Sequence, residues 1–412
     1  MGRITLQLKT ISRLLNDYKG SLLLLVILIL LYQIILTSVI GLDAPVRGDE
    51  RHFVETIKYF AGLDIAKVQN YKEVTTPLVY YIYALWGKIA GFELSNLRIL
   101  SLIISFIVYI SLHRLFFITL EEKTYVFFSV LFFMLNPYAI GFNLFIFTDM
   151  LTLLFIISFC ISIIKNYRPA ILVSGIFVLL CRQYSIFIIA AGISYYLIEY
   201  IHKQQKSLLL NIAVLIVSVL PMAVLFIIWN GFAPPEGLAY WASEYEASYN
   251  IHYLNTYISL IPVYLLPFYI LKWKNFIGNY KYLAIYFCIG LFYFLFPVIP
   301  SNVTLEQTDL TTVGFVHRFI RIVFPNYTAE HLVFYFFFVF GLIFLWTVLK
   351  DIVLQIKRRV TGQSLFLNLA IVSFLLIIPF SYQVWEKYLL VLIPVLMLRF
   401  LMPFSYKKAH AN

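Results

Sequence analysis

The sequence predicts an all-α integral membrane protein with about 12 transmembrane helices. Of its 412 residues, 62% are hydrophobic and only 12% are charged, and the mean hydropathy is +0.88. Apolar runs close to the roughly 20 residues that a helix needs to cross a bilayer recur along the chain. Lysine and arginine recur between these runs, as cytoplasmic loops require. The net charge of +11 is therefore spread over many loops, which argues against nucleic acid as a partner.

Apolar runs place the spans. In chain order they predict spans at 21–42, 98–117, 124–143, 149–165, 169–181, 183–200, 208–229, 253–271, 282–299, 332–349, 364–380 and 386–402. The first run is too long for a signal-peptide core, so we predict a retained span. Segment 77–92 is short and rich in Tyr and Trp, and we expect it to lie along the outer membrane surface.

The charge distribution predicts the orientation. With both termini in the cytoplasm, nineteen of the 31 Lys and Arg residues fall in inner loops, in agreement with the positive-inside rule. If segment 77–92 crossed the membrane, the basic cluster at 350–359 would face outward. The protein is thus expected to be multi-pass, in the plasma (inner) membrane of a prokaryote or the endoplasmic reticulum of a eukaryote.

The acidic residues gather on the opposite side. Fifteen of the 20 Asp and Glu residues fall in predicted outer segments, and the larger outer loops are 43–97, 230–252 and 300–331. Because acids have little influence on topology, this gathering indicates chemistry at the outer face. The three cysteines, Cys160, Cys181 and Cys288, lie in apolar runs without ligand spacing and are expected to be small buried hydrophobic residues.

One polar run stands out, Arg47-Gly48-Asp49-Glu50-Arg51-His52, directly after the first span. Two adjacent carboxylates beside two guanidiniums exceed what a topology signal needs. From the residues alone, the run is either a catalytic acid cluster or a solvated loop cap.

Several motifs, taken in order, resemble the GT-C glycosyltransferases, which are multispanning enzymes that use polyprenyl-phosphate sugars as donors. The acidic pair is followed by Val74-Thr75-Thr76-Pro77-Leu78, by Leu97-Arg98, and by Asn136-Pro137 with Phe147-Thr148-Asp149. Further motifs resemble the dolichyl-phosphate-glucose α-1,2-glucosyltransferase family, namely Cys181-Arg182-Gln183, Trp229-Asn230-Gly231 and Glu386-Lys387-Tyr388.

The resemblance implies an organisation. Residues 1–412 form a single multispanning domain, in which 1–235 is a GT-C-like catalytic module whose outer loop 43–97 contains interfacial helices. Residues 236–412 are variable C-terminal spans. The chain departs from the glucosyltransferase pattern at Phe232-Ala233-Pro234-Pro235-Glu236, so the aminoarabinose and protein-mannosyl transferase families remain comparisons.

The resemblance also implies a reaction, the inverting transfer of a hexose such as glucose from a polyprenyl-phosphate donor to a lipid-linked glycan or other outer-face acceptor. Asp49 is the expected general base. Glu50 is expected to support it and is the alternative base. Asp149 is expected to be a second acid, although an Asp opening a helix is also a favourable charge for the helix dipole.

The departing phosphate needs cations, and Arg182, Arg51 and Lys387 are the candidates. An arginine such as Arg182 could instead extend to lipid headgroups. Arg318 and Arg321 are further candidates for phosphate or headgroup contacts. Substrate contacts are expected from six more residues, His52, Thr75, Thr76, Gln183, Asn230 and Glu386.

No metal site is predicted, since His317 and His331 have no ligand spacing and are expected to be solvated loop residues. A cofactor is not indicated, although a divalent cation is compatible with the superfamily.

Two other classes of protein remain as alternatives. The number of predicted spans agrees with a transporter or flippase. Such a protein would, however, show internal repeats or broken spans, and its acidic residues would lie near the middle of the membrane. A non-catalytic scaffold has little use for the set of Asp49, Asp149 and Arg182.

Overall fold

The computed structural model describes residues 15–241, 248–276, 283–308 and 310–404. These residues are helical and contain no β-strand, which confirms the all-α class. The first eight α-helices are α1 (Tyr18–Ile40), α2 (Glu50–Tyr59), α3 (Leu78–Ala90), α4 (Leu94–Thr119), α5 (Thr124–Met134), α6 (Pro137–Leu144), α7 (Asp149–Lys165) and α8 (Arg168–Cys181). The others are α9 (Ile186–Lys203), α10 (Lys206–Trp229), α11 (Pro235–Trp241), α12 (Ile251–Tyr264), α13 (Leu266–Phe276), α14 (Leu283–Gly290), α15 (Asn302–Thr308), α16 (Phe315–Val323), α17 (Tyr327–Lys357), α18 (Gln363–Ile377) and α19 (Ile393–Leu401).

Six helical segments of the described chain are long and apolar enough to cross a membrane, and a seventh is obtained if the bent pair α5–α6 counts as one span. The chain is therefore a multi-pass membrane protein. The other predicted spans coincide with helices that are short or interrupted. Proline explains two of the breaks, because it removes a backbone donor. Pro137 opens α6 after a 70° bend, and Pro267 lies in the first turn of α13.

Two compact units make up the chain. The first comprises 1–185 and 213–243, and the second comprises 186–212 and 244–412. The predicted division at residue 235 is close to the boundary at 243–244, but α9 groups with the C-terminal helices.

In the first unit, α4 is the central helix. It packs against α1, α3, α5, α6 and α7, and α7 in turn packs against α8. Arg98 lies in the second turn of α4 and is fully buried. The beginning of α4 therefore places a positive charge inside the protein, which requires a buried partner.

In the second unit, α17 packs against α12 at close range. A Cβ added to Gly341 would lie 2.0 Å from the carbonyl oxygen of Ile258, so this contact requires glycine.

The predicted span 332–349 extends in the structure to Lys357, which brings Asp351 into the helix. There its carboxylate accepts a hydrogen bond of 2.7 Å from Arg399 Nη2. The sequence predicts a basic cytoplasmic cluster at 350–359, because the charged residues there mask the continuing helix.

Candidate active site

The structure pairs Glu50 with Arg98, at the two ends of segment 43–97. The guanidinium is bidentate, with Nε 2.9 Å from Oε1 and Nη2 2.6 Å from Oε2, and both side chains are fully buried. Two backbone N–H groups, of Arg47 and Ile146, also donate to this carboxylate at 3.2 and 3.0 Å. Each oxygen thus accepts two hydrogen bonds. This arrangement suits a residue that holds structure in place better than one that accepts a proton from substrate.

Arg98 also binds the segment that precedes the acidic pair Asp49-Glu50. Its Nη1 donates to the carbonyl oxygens of Leu42 and Ala44 at 2.8 and 2.6 Å. Through Glu50, it also holds Ile146, three residues before Asp149. In the sequence, Arg98 is recognisable only as part of the motif Leu97-Arg98. The signal that could have indicated its role is an arginine near the start of an apolar span, since such a residue needs an acidic partner.

Asp49 immediately precedes α2 and is half-buried. Its backbone oxygen accepts the first helical hydrogen bond from Phe53 at 3.1 Å, but its side chain makes no capping bond to the helix. Phe53 packs edge-on against Phe147, with ring centroids 5.8 Å apart. The start of α2 therefore lies against the segment that leads into Asp149.

Asp149 and Arg182 form a second buried pair. Arg182 Nη2 lies 3.2 Å from Asp149 Oδ2, and Arg182 Nε donates to Thr148 Oγ1 at 2.7 Å. Asp149 is fully buried and Arg182 is 6% exposed, so Arg182 is not extended to lipid headgroups. Asp149 Oδ1 has no hydrogen-bond partner in the described part of the chain. A buried carboxylate oxygen of this kind is costly unless a ligand completes it.

The Thr-Thr-Pro run and Gln183 hold residues 74–77 against the end of α8. Thr76 Oγ1 donates to the carbonyl oxygen of Leu179 at 2.9 Å, close to the end of α8. Gln183 Nε2 donates to the carbonyl oxygen of Val74, and Thr75 Oγ1 lies 2.7 Å from the hydroxyl of Tyr80. These contacts position the loop beside Arg182. The substrate contacts expected of Thr75, Thr76 and Gln183 stay predictions.

Asn230 ends α10 in the left-handed conformation, with φ of 50°. Asparagine is favoured at this position of a helix end, which gives the Trp-Asn-Gly motif a local structural reason. Trp229 Nε1 donates to the carbonyl oxygen of Val68 at 2.7 Å. The motif therefore fastens the end of α10 to segment 43–97.

Arg51 and His52 follow on α2. Arg51 Nε lies 3.3 Å from Glu55 Oε1 in an exposed pair, and exposed pairs of this kind contribute little to stability. The His52 ring meets Trp241 edge-on, with centroids 4.9 Å apart.

Glu386 and Lys387 belong to the second unit. The Glu386 carboxylate is buried and accepts hydrogen bonds from the backbone N–H groups of Val316 and His317, at 2.9 and 2.8 Å. It thus binds the N-terminus of α16, where the helix dipole favours a negative charge. The Lys387 ammonium lies 5.5 Å from the centre of the Trp385 ring.

The expectation that His317 and His331 are solvated is wrong. His317 is fully buried and His331 is 4% exposed. His317 Nε2 lies 2.6 Å from Glu330 Oε1, and Arg321 Nε donates to Glu330 Oε2 at 2.8 Å. The reason is the amphipathic pattern of α16, which places His317 and Arg321 one turn apart on the side facing α17.

The expectation that Cys288 is buried is also wrong, since it is exposed.

His317 predicts a pH-dependent stability. Burial lowers the pKa of His317 from 6.5 to about 4. The unfolded chain therefore binds the proton first, and the free energy of unfolding falls as the pH decreases from 6.5 towards 4, by roughly 3 kcal/mol over the whole window. Thermal unfolding in detergent between pH 7.5 and 4.5 measures this. We expect His317→Gln to flatten the dependence, and an equal slope in both proteins would contradict the assignment.

No group of three or more His, Cys, Asp or Glu side chains in the described ranges is arranged to hold a metal ion. A scan against protein-family models and searches of curated proteins and of solved structures found no match for this chain.

Proposed function

We propose that the protein is a membrane glycosyltransferase of the GT-C type, which transfers a hexose from a polyprenyl-phosphate donor to an outer-face glycan acceptor. One observation carries the proposal. The buried Glu50 carboxylate lies next to Asp49 in the chain and binds the backbone of Ile146, three residues before Asp149. This contact brings Asp49, an acid at the start of α2, towards the buried pair of Asp149 and Arg182.

Each of the three charged groups has a defined role in the proposed chemistry. Asp49 takes the proton of the acceptor hydroxyl while that oxygen attacks the anomeric carbon of the donor. The bond from the anomeric carbon to the phosphate oxygen breaks, and the electron pair leaves with the lipid phosphate. The guanidinium of Arg182 stabilises the phosphate charge. Asp149 orients Arg182 through Oδ2, and its Oδ1 accepts a hydrogen bond from a substrate hydroxyl. Attack opposite to the leaving group inverts the anomeric configuration.

The finer topology belongs to the same proposal. Twelve spans with both termini in the cytoplasm would place Asp49 and Asp149 at the outer face, where a lipid-linked donor and its acceptor meet. In this arrangement the acids lie at the starts of α2 and α7. A transporter would instead need them near the middle of the spans.

A test of the phosphate role is Arg182→Lys. Lysine keeps the charge but loses the planar fork and the contact with Thr148 Oγ1. We expect kcat to fall about 10²- to 10³-fold, as when a preorganised hydrogen-bond donor is removed from an active site. The assay follows radiolabel from synthetic polyprenyl-phosphate hexoses to a glycolipid extract, with purified protein in detergent.

Arg168→Lys is the matched control, because Arg168 begins the same helix, α8, that Arg182 follows. It should retain the wild-type rate. Equal losses of kcat in both variants would contradict the role of Arg182 in binding phosphate. If well-folded wild-type protein transfers sugar from none of the donors, the proposed function is contradicted.

A further inference from the structure

A cavity of about 470 Å³ lies in the first unit beside α2, the helix that directly follows Asp49. Its size falls in the range of small-molecule sites. We call it the α2–α11 cavity, since α2 and α11 supply most of its walls and residues 71–73 complete it.

Helical spacing links the cavity to Asp49. His52, Glu55 and Tyr59 follow Asp49 at intervals of three or four residues, and side chains at such intervals lie on one face of a helix. Asp49 therefore stands at one end of the row that lines the cavity. A ligand in the cavity would occupy the turn of α2 next to the candidate base.

The charges of the lining point to a neutral ligand. Three carboxylates, of Glu55, Glu73 and Glu236, face two cations, of Arg51 and Lys72. This balance offers no excess positive charge for a phosphate group. Carboxylates are hydrogen-bond acceptors, so they suit a ligand that presents several hydroxyl groups.

Aromatic rings complete the lining. Trp241 lies 5.0 Å from Tyr240 and 4.9 Å from His52 between ring centroids, and Tyr59 adds a further ring. Large aromatic side chains supply apolar area that packs against the carbon face of a ring-shaped ligand. The carboxylates can accept hydrogen bonds from the hydroxyl groups of a pyranose, and the aromatic rings can pack against its apolar face.

The wall formed by α11 is held close to the outer loop. A Cβ added to Gly237 would lie 2.4 Å from the carbonyl oxygen of Glu73, so the two backbones meet directly. The backbone N–H of Glu236 also donates to Asn70 Oδ1 at 2.8 Å. The position of Trp241 is therefore set before a ligand enters, which lowers the cost of binding.

We propose that the α2–α11 cavity binds a neutral sugar unit of the acceptor glycan, and that α11 determines which sugar is accepted. This inference rests on the proposed function, in which Asp49 takes a proton from an acceptor hydroxyl. Segment 232–236, where the sequence departs from the glucosyltransferase pattern, leads directly into this wall.

The first experiment separates acceptor from donor binding. In the transfer assay, Trp241→Ala should raise KM for the acceptor about 10-fold or more, as loss of a buried aromatic contact does, and leave KM for the donor unchanged. Gly237→Ala, which must displace α11, should act in the same direction. Trp346→Ala, at a tryptophan of the second unit that is 55% exposed, is the control. An equal rise in KM for the donor, or no change for the acceptor, would overturn the inference.

A second experiment does not need transfer activity, so it distinguishes failure of this inference from failure of the proposed function. Saturation-transfer NMR of the full-length protein in detergent would use maltotriose, mannotriose and chitotriose as probes. We expect at least one trisaccharide to give a signal that is lost in Trp241→Ala and kept in Trp346→Ala. Absence of a signal from all three, or binding of pyrophosphate that depends on Trp241, would overturn the assignment even in an active enzyme.

Discussion

Asp49→Asn is expected to lower kcat about 10²- to 10⁴-fold, which is the range for loss of a general base. Asparagine has nearly the same shape but cannot take the proton of the acceptor hydroxyl. Because asparagine keeps the size and a hydrogen-bonding side chain, we expect the variant to fold. Initial rates of transfer and thermal unfolding of the same preparations measure both effects.

Asp43→Asn is the matched control for this prediction. Asp43 is an exposed acid six residues before Asp49 in the same segment, 43–97, so its replacement should leave the rate unchanged. Full activity of Asp49→Asn, together with inactivity of a folded Glu50→Gln protein, would contradict the assignment of Asp49 and make Glu50 the base.

Arg98→Met is expected to destabilise the protein by about 3–5 kcal/mol, because it leaves the buried Glu50 carboxylate without its cation. It also removes the hydrogen bonds to the carbonyl oxygens of Leu42 and Ala44. Thermal or denaturant unfolding in detergent measures the loss. The exposed pair of Arg51 and Glu55 offers a control, since Arg51→Met should cost less than about 1 kcal/mol.

The double variant Arg98→Met with Glu50→Met tests the reason for this loss. Replacing a whole buried ion pair with apolar side chains often costs little, so the double variant should recover much of the stability lost in Arg98→Met. Its transfer activity should stay low, because the acidic run would no longer be held to Ile146. Equal unfolding temperatures for Arg98→Met and wild type would contradict the central place given to this pair.

Helix positions were largely predictable from the sequence, because apolar runs are a local property. The predicted span 149–165 coincides with α7, and segment 77–92 contains α3. The interruptions were harder to predict. Pro137 was visible, yet whether proline bends a helix or ends it depends on the neighbours that satisfy the freed backbone groups.

Partners of the charged residues were not predictable, because they lie far apart in the chain. Glu50 and Arg98 are 48 residues apart, as are Asp351 and Arg399. Single-sequence patterns assign each of these charges to a loop or a span but do not pair them. His317 shows the same limit, since its burial depends on Glu330 in the following helix. For Asp149 and Arg182, motif order indicated an acid and a cation at one site, and the fold adds their direct contact.

The most direct measurement of the central claim is the product formed by purified wild-type protein from a single labelled polyprenyl-phosphate hexose of known anomeric configuration. The account predicts a new glycosidic bond at an acceptor hydroxyl, with the opposite configuration by NMR and with release of the lipid phosphate. A product with retained configuration would contradict Asp49 as a simple base. Movement of the intact donor across vesicle membranes without bond formation would contradict the enzyme itself and indicate a transporter.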